Sequence, residues 1–524
     1  MDNVRLPSRL LRGLLALALL TPTAALAHGK LKSSAPRAGA PLSAVPTELR
    51  LTFTEATELA FTRIELFGPD SQAVVLGPVA FADGDARRVV VAAIRGALRE
   101  GKYTVAWQMA GADGHPVRER FTFRIMPGAS GLTDSSVVGA ATPLPGEAAG
   151  GVTAPGQVPP PAAHHDPVTM PTGNGFAAES PLYVAIRWVT FTALLVALGA
   201  VAFHFFVLGF LRRAQDPDSP MLAPASARAA ALGLWATALL GVGALLRLYA
   251  QSFALQGAER ALDPALIATM LSRTVWGWGW VLQAVGVTIA VAGFLSARRA
   301  RRSGWAVALL GVVALAFTPA LSGHAAAVPT LTPLAVLADS AHVIGAAGWL
   351  GSLLFVVAVG IPAARQLPEG ARERGVADLV NAFSPTALVF AGIAAATGVF
   401  SAWLHLDAVS ALWQSAYGRT LLLKLAVLSA VAATGAYNWL RVKPTLGTAQ
   451  GAIRIRRSAT LELAVGVLVL AVTAVLVATP TPMDATMDAT MDATMDATMD
   501  ATATTQAAGE TRGEVGTDAV TPRR

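Results

Sequence analysis

Three residues of this chain share one chemistry once a single peptide bond is cut. The stretch "TAALAHGKLKSS", residues 23–34, places His28 directly after the small-residue triplet Ala25, Leu26, Ala27. Arg5, Arg9 and Arg12 and the apolar run "GLLALALL" come before it, in the order of a secretory signal peptide, so residues 1–27 are expected to be removed. Cleavage there leaves His28 with a free α-amine beside its imidazole. The amine nitrogen and Nδ1 then close a chelate ring on a metal, and such nitrogen and oxygen donors suit copper(II), which prefers tetragonal geometry. Further donors stand in "GADGHPV": Asp113 and His115 are two apart, and the residue before Pro116 is pushed towards extended geometry, so both side chains can point the same way. Asp-Gly followed by His-Pro is also ordinary turn chemistry, and spacing alone leaves both readings open.

These donors need a rigid frame. Residues 28–127 read as a small soluble β domain. Leu49, Leu51 and Phe53 alternate in "ELRLTF", Tyr103, Val105, Trp107 and Met109 in "GKYTVAWQM", and Phe121, Phe123 and Ile125 in "RFTFRI". Each set fills one face of a strand, and turn signals such as "GPD" and "ADGD" separate further short strands, which predicts an immunoglobulin-like all-β sandwich. Residues 128–180 are rich in Gly, Pro, Ala and Ser without period and read as a flexible linker, with His164 and His165 as solvated linker residues.

Composition places the rest in a lipid bilayer. Of 524 residues 54% are hydrophobic and only 14% charged, with a positive mean hydropathy, too apolar for a soluble chain of this length. Eight apolar runs, at about 183–211, 229–251, 275–297, 304–324, 334–360, 380–405, 418–440 and 458–478, approach the ~20 residues a spanning helix needs. They predict an all-α polytopic membrane domain of eight transmembrane helices over residues 181–480. The net charge of +7 comes from arginines in short clusters between these runs, which sets topology and gives no reason to invoke a nucleic-acid partner. Three Lys or Arg fall in 212–228, four in 298–303, three in 361–377 and five in 441–457, against Arg260 and Arg273 in the intervening loops. The four rich loops are therefore expected inside, with the N-terminal domain and the C-terminal tail outside. Without cysteine the chain has no disulfide and no thiolate metal site. The tail, 481–524, carries five MDAT repeats and reads as disordered low-complexity sequence.

Ionisable groups inside a span are functional candidates by default, because hydrocarbon penalises them. His324, Asp339, His342 and His405 all fall towards the outer side of helices four to six under this topology, and Asp339, three residues before His342, is placed to orient its imidazole. Taken together they predict a metal-handling cluster; taken singly, each histidine also suits a capping or interfacial role. Lys424 lies shallow in helix seven, His204 deep in helix one, and Glu462 in the first turn of helix eight. Arg187, Arg247 and Arg419 suit snorkelling, and Trp276, Trp278 and Trp280 an interfacial belt.

The segments "HGKLKSSAPRAGAPLSAVPTELRLTFTEA" and "GKYTVAWQMAGADGHPVRERFTF" resemble the start and end of the periplasmic copper-binding family CopC. That resemblance implies a copper(II) site at His28, Asp113 and His115, with Glu55 of "FTEA" behind the ligands. Some members carry a methionine-rich copper(I) site. Here Met109, at core spacing, is the one methionine between His28 and Phe123, so copper(II) alone is expected. The segments "LSGHAAA", "DSAHVIGAAGWLGSLL", "FSPTALVFAGIAAATGVFSAW", "LWQSAYGRTLLLKL" and "YNWL" resemble the inner-membrane copper family CopD. A CopC domain ahead of a CopD domain implies a non-enzymatic protein of the bacterial inner membrane whose partners are the copper ion and the lipid bilayer. It would capture copper(II) in the periplasm and pass it to the membrane domain for import, the tether keeping the captured ion at high effective concentration. Copper resistance by periplasmic sequestration is the alternative. Two rivals from other classes are membrane histidines that ligate haem b for electron transfer, and an oxidative polysaccharide-cleaving copper centre. Asp113 as a charged ligand and the membrane half argue against the latter. The sequence carries no signal for an oligomeric state.

Overall fold

The computed structural model describes residues 31–54, 56–82, 87–110, 116–131, 180–214, 219–301, 303–321, 331–406, 408–479 and 481–482. Among the described residues nine strands come first: β1 (Leu31–Ala35), β2 (Pro41–Ala44), β3 (Glu48–Phe53), β4 (Arg63–Phe67), β5 (Ala73–Val74), β6 (Ala80–Phe81), β7 (Val89–Ala93), β8 (Gly101–Ala110) and β9 (Pro116–Ser130). They form a four-stranded sheet in the order β1-β3-β7-β6 and a five-stranded sheet in the order β2-β9-β8-β4-β5. The β2–β9 pair is parallel and the other pairings are antiparallel.

Alternation explains how the two sheets close on each other. Leu49, Leu51 and Phe53 from one sheet and Tyr103, Val105, Trp107, Phe123 and Ile125 from the other are at most 2% exposed and belong to one core. Register brings Tyr103 opposite Phe123, and their rings stack at 5.3 Å. Phe53 meets Trp107 edge-on at 5.2 Å, joining the sheets. The expected all-β sandwich is present.

The helices are α1 (Pro181–Arg213), α2 (Leu222–Gln256), the short α3 (Pro264–Arg273), α4 (Val275–Arg298), α5 (Gly304–Leu321), α6 (Thr332–Ala364), α7 (Arg372–His405), α8 (Ala416–Thr445) and α9 (Ala449–Leu476). All but α3 are long and apolar enough to cross a membrane, which makes eight among the described residues, as expected. Several run beyond the apolar stretches that announce them, because hydropathy marks only the part in hydrocarbon while the helix continues into its charged ends. The clearest case is α9, which starts at Ala449, where Thr448 caps it by accepting from the Gly451 amide.

The described chain forms two compact units: the β domain together with Ala244–Val285, and a helical unit of Pro181–Gly243, Gly286–Gly323 and the chain from Leu334. Inside the helical unit α1 and α6 cross at glycines. A Cβ on Gly199 would lie 2.5 Å from the Gly351 backbone, so only glycine permits this approach. α1, α6 and α8 each contain π-helical turns, at Phe203–Leu208, at Ala347–Gly351 and Val356–Gly360, and at Asn438–Val442, interruptions of the kind that collect at functional positions.

Candidate metal sites

The expected ligands His28, Asp113 and His115, and Glu55 behind them, lie outside the described residues. The strands that lead to these positions are described. β1 begins at Leu31, paired with Phe53 at the end of β3. β8 ends at Ala110, paired with Pro116 at the start of β9. The Phe53–Trp107 contact and a hydrogen bond from the Glu58 amide to the Ala110 carbonyl (3.3 Å) tie the ends of β3 and β8 together. The described strand ends that lead to these positions therefore lie at one end of the sandwich.

In the helical unit three elements contribute charged or imidazole groups to one neighbourhood: Asp339 and His342 from α6, His405 from α7 and Lys424 from α8, all partly buried. Asp339 lies within electrostatic reach of His405 and Lys424, and His342 within reach of Lys424. His342 Nδ1 sits 2.8 Å from the Ala394 carbonyl of α7. A carbonyl only accepts, so Nδ1 carries the proton and donates, leaving Nε2 with its lone pair. His405 repeats the pattern, donating from Nδ1 to the Ser401 carbonyl at 2.7 Å. A backbone carbonyl on one ring nitrogen is the arrangement that fixes a metal-binding imidazole through the other.

Space for the His342 ring comes from Gly398, where a Cβ would stand 3.1 Å from Cε1. The partner of His342 is thus α7 rather than Asp339, its neighbour three residues back. The offset between positions i and i+3 turns the two side chains to different contacts. Lys424 is the group that sequence reasoning left out of this cluster. Its signal was a lone cation in the run "LLLKLAVL". His324 lies outside the described residues. No group of three or more His, Asp or Glu is arranged to hold a metal ion among the described residues.

The other two intramembrane candidates are packed elsewhere. His204, on the π-helical turn of α1, stacks on Trp305 at 4.0 Å and places Nδ1 3.1 Å from Ser226 Oγ. Glu462 is 5% exposed and stands midway along α9, not in its first turn, because α9 begins earlier than the apolar run suggests. It accepts hydrogen bonds from Asn438 Nδ2 (3.4 Å) and from Trp349.

Comparison with known proteins follows the same division of the chain. The CopC domain family matches residues 31–126, the "Copper resistance protein D-like, N-terminal domain" family residues 177–332, and the "Copper resistance protein D" family residues 377–476. "Copper transport protein CutJ" of Bacillus subtilis (strain 168) is 25% identical over 476 residues, which cover 90% of this chain and 77% of that one. "Protein YobA" of Escherichia coli (strain K12) is 30% identical over 112 residues, 21% of this chain and 89% of that one. "Copper resistance protein D" of Pseudomonas syringae pv. tomato is 28% identical over 325 residues, 59% of this chain and 99% of that one. With a CopC domain, a CopD N-terminal domain and a CopD domain in that order along a multi-pass membrane chain, the protein belongs to the CopC–CopD fusion family of copper resistance and transport proteins.

Proposed function

We propose that this protein captures copper(II) outside the bacterial inner membrane with its β domain and passes it to the helical domain for import. The observation that carries the reading is the fusion itself: likeness to a copper transport protein extends over nine-tenths of the chain, through both domains in the same order. In this reading residues 1–27 are a cleaved signal peptide, and residues 28–127 are a capture domain with His28, Asp113 and His115 as ligands and Glu55 behind them. Residues 128–180 join that domain to the membrane domain, 181–480, and 481–524 form a tail. The four cationic loops face the cytoplasm, and capture domain and tail face the periplasm. His342 and His405 supply Nε2 donors on the copper path, supported by the carbonyls that hold their Nδ1 atoms. His324 and Asp339 complete the path. No step is catalytic. Lacking thiolates and a methionine cluster in the capture domain, the chain offers the nitrogen and oxygen donors that copper(II) prefers.

Cellular copper content with and without the gene, at limiting and at excess copper, tests this reading. Import predicts less copper in cells lacking the gene when copper is limiting. Equal content at limiting copper with poorer survival at excess would overturn import in favour of sequestration.

A further inference from the structure

Helix α2 ends at Gly257, whose φ of 79° is the left-handed conformation glycine adopts without strain. The Gly257 amide returns to the Phe253 carbonyl, 2.8 Å away. The next three carbonyls, of Ala254, Leu255 and Gln256, have no following turn to bind them, and they form the negative end of the helix dipole. Three side chains of the β domain meet them in order. Arg118 of β9 donates from Nη2 to Ala254 O, Gln108 of β8 from Nε2 to Leu255 O at 2.8 Å, and Arg63 of β4 from Nη2 to Gln256 O at 3.1 Å. Arg118 Nε also donates to Gln108 Oε1 at 2.7 Å, so the donors brace each other.

Around this row lies a buried apolar contact. Phe61 and Ala110 from the β domain pack with Leu255, Met270 and Trp276, all at most 3% exposed. Strands β4, β8 and β9 thus present a surface whose donors match the open carbonyls of a helix end and whose apolar rim matches the residues beside it. Burial also pushes the Glu65 carboxyl up and holds the Arg63 and Arg118 guanidiniums below their usual range, as expected where charged groups leave water.

We propose that this face of β4, β8 and β9 is a docking seat for the C-terminal end of α2, and that copper leaves the β domain from the seated state rather than from a domain swinging on residues 128–180. The second half rests on the import reading above; the first does not. Two guanidiniums and an amide on consecutive carbonyls fix orientation as well as position, which a flexible tether cannot do. Ala110, in the seat, is the last residue of the strand that leads to Asp113 and His115, so seating constrains the approach to the proposed ligands.

The chain has no cysteine of its own, which makes cross-linking in native membranes a clean test. Arg63→Cys with Gln256→Cys, leaving Gln108 and Arg118 in place, should join in high yield with a short bismaleimide. A control pair of Arg50→Cys, on the other sheet, with Gln256→Cys should not. Adding Gln108→Ala and Arg118→Ala should lower the yield. The same two substitutions in the full chain should reduce copper uptake by about tenfold or more, the scale on which effective concentration is lost with positioning, while the copper(II) paramagnetic signal of the β domain persists and shows it folded. The cross-linked chain should keep its uptake. A yield no better than the control overturns the seat whether or not the chain imports copper. Full uptake by the Gln108→Ala/Arg118→Ala chain, or none by the cross-linked one, overturns hand-over from the seated state.

Discussion

Replacing His342 separates a ligand from a structural histidine. Its Nδ1 donates across helices to Ala394 O at 2.8 Å, and Gly398 leaves room for its ring. An interhelical hydrogen bond of this kind in a membrane averages ~0.6 kcal/mol and reaches ~1.7 kcal/mol. His342→Ala should therefore leave the protein folded and in the membrane at near-normal abundance. Loss of metal binding should be larger, because removing even an outer partner of a metal-binding histidine costs ~10–100-fold in affinity and the histidine itself at least as much. Copper uptake at limiting copper should fall about tenfold or more. His342→Gln is the sharper test: its amide can still donate to Ala394 O but offers no imidazole nitrogen, so it should restore packing and not uptake. Gly398→Ala should act in the same direction more mildly, by crowding Cε1. The assay is labelled-copper uptake in cells matched for membrane abundance. Uptake unchanged in the combined His324, His342 and His405 alanine variant would exclude them as copper ligands and return all three to packing and interfacial roles.

Asp339→Asn should reduce uptake less than His342→Ala, because Asp339 is only within electrostatic reach of Lys424 and His405 while the His342 ring is held by the Ala394 carbonyl; the same uptake assay decides it. One extra residue before His28 should abolish the amine chelate, and a mature-like copper(II) affinity and paramagnetic spectrum in the extended form would show that the amine is no ligand. The ligands must lose protons to bind, so apparent copper(II) affinity should be intact above the histidine range and fall as pH drops through ~6.5; competition titrations at mildly acidic and neutral pH check it. In the sandwich core Trp107→Ala should cost ~3–5 kcal/mol in denaturant unfolding followed by circular dichroism. Trp107→Phe should cost much less, because the buried Trp107 Nε1 has no hydrogen-bond partner among the described residues to lose.

The features of this protein that depend on periodicity and composition are legible in the amino-acid sequence alone. Leu49, Leu51 and Phe53, and Tyr103, Val105 and Trp107, announce their strands because an alternation of two can bury only one face of a sheet. Eight apolar runs announce eight long helices because hydrocarbon cannot solvate a backbone that is not bonded to itself. The CopC and CopD likenesses were legible in short motifs for the same local reason. Which groups meet depends on how the helices and strands pack. Asp339 is three residues from His342, yet His342 binds α7 and Asp339 lies near Lys424, because helix packing and the gap at Gly398 choose the contact that sequence distance merely permits. Glu462 was misplaced by hydropathy, since Thr448 starts α9 well before the apolar run. The row of Arg63, Gln108 and Arg118 on the end of α2 was invisible, for it joins three strands to a helix end more than a hundred residues later in the chain. A carbonyl left open by a helix terminus has no side-chain signature, and only the fold shows what comes to meet it.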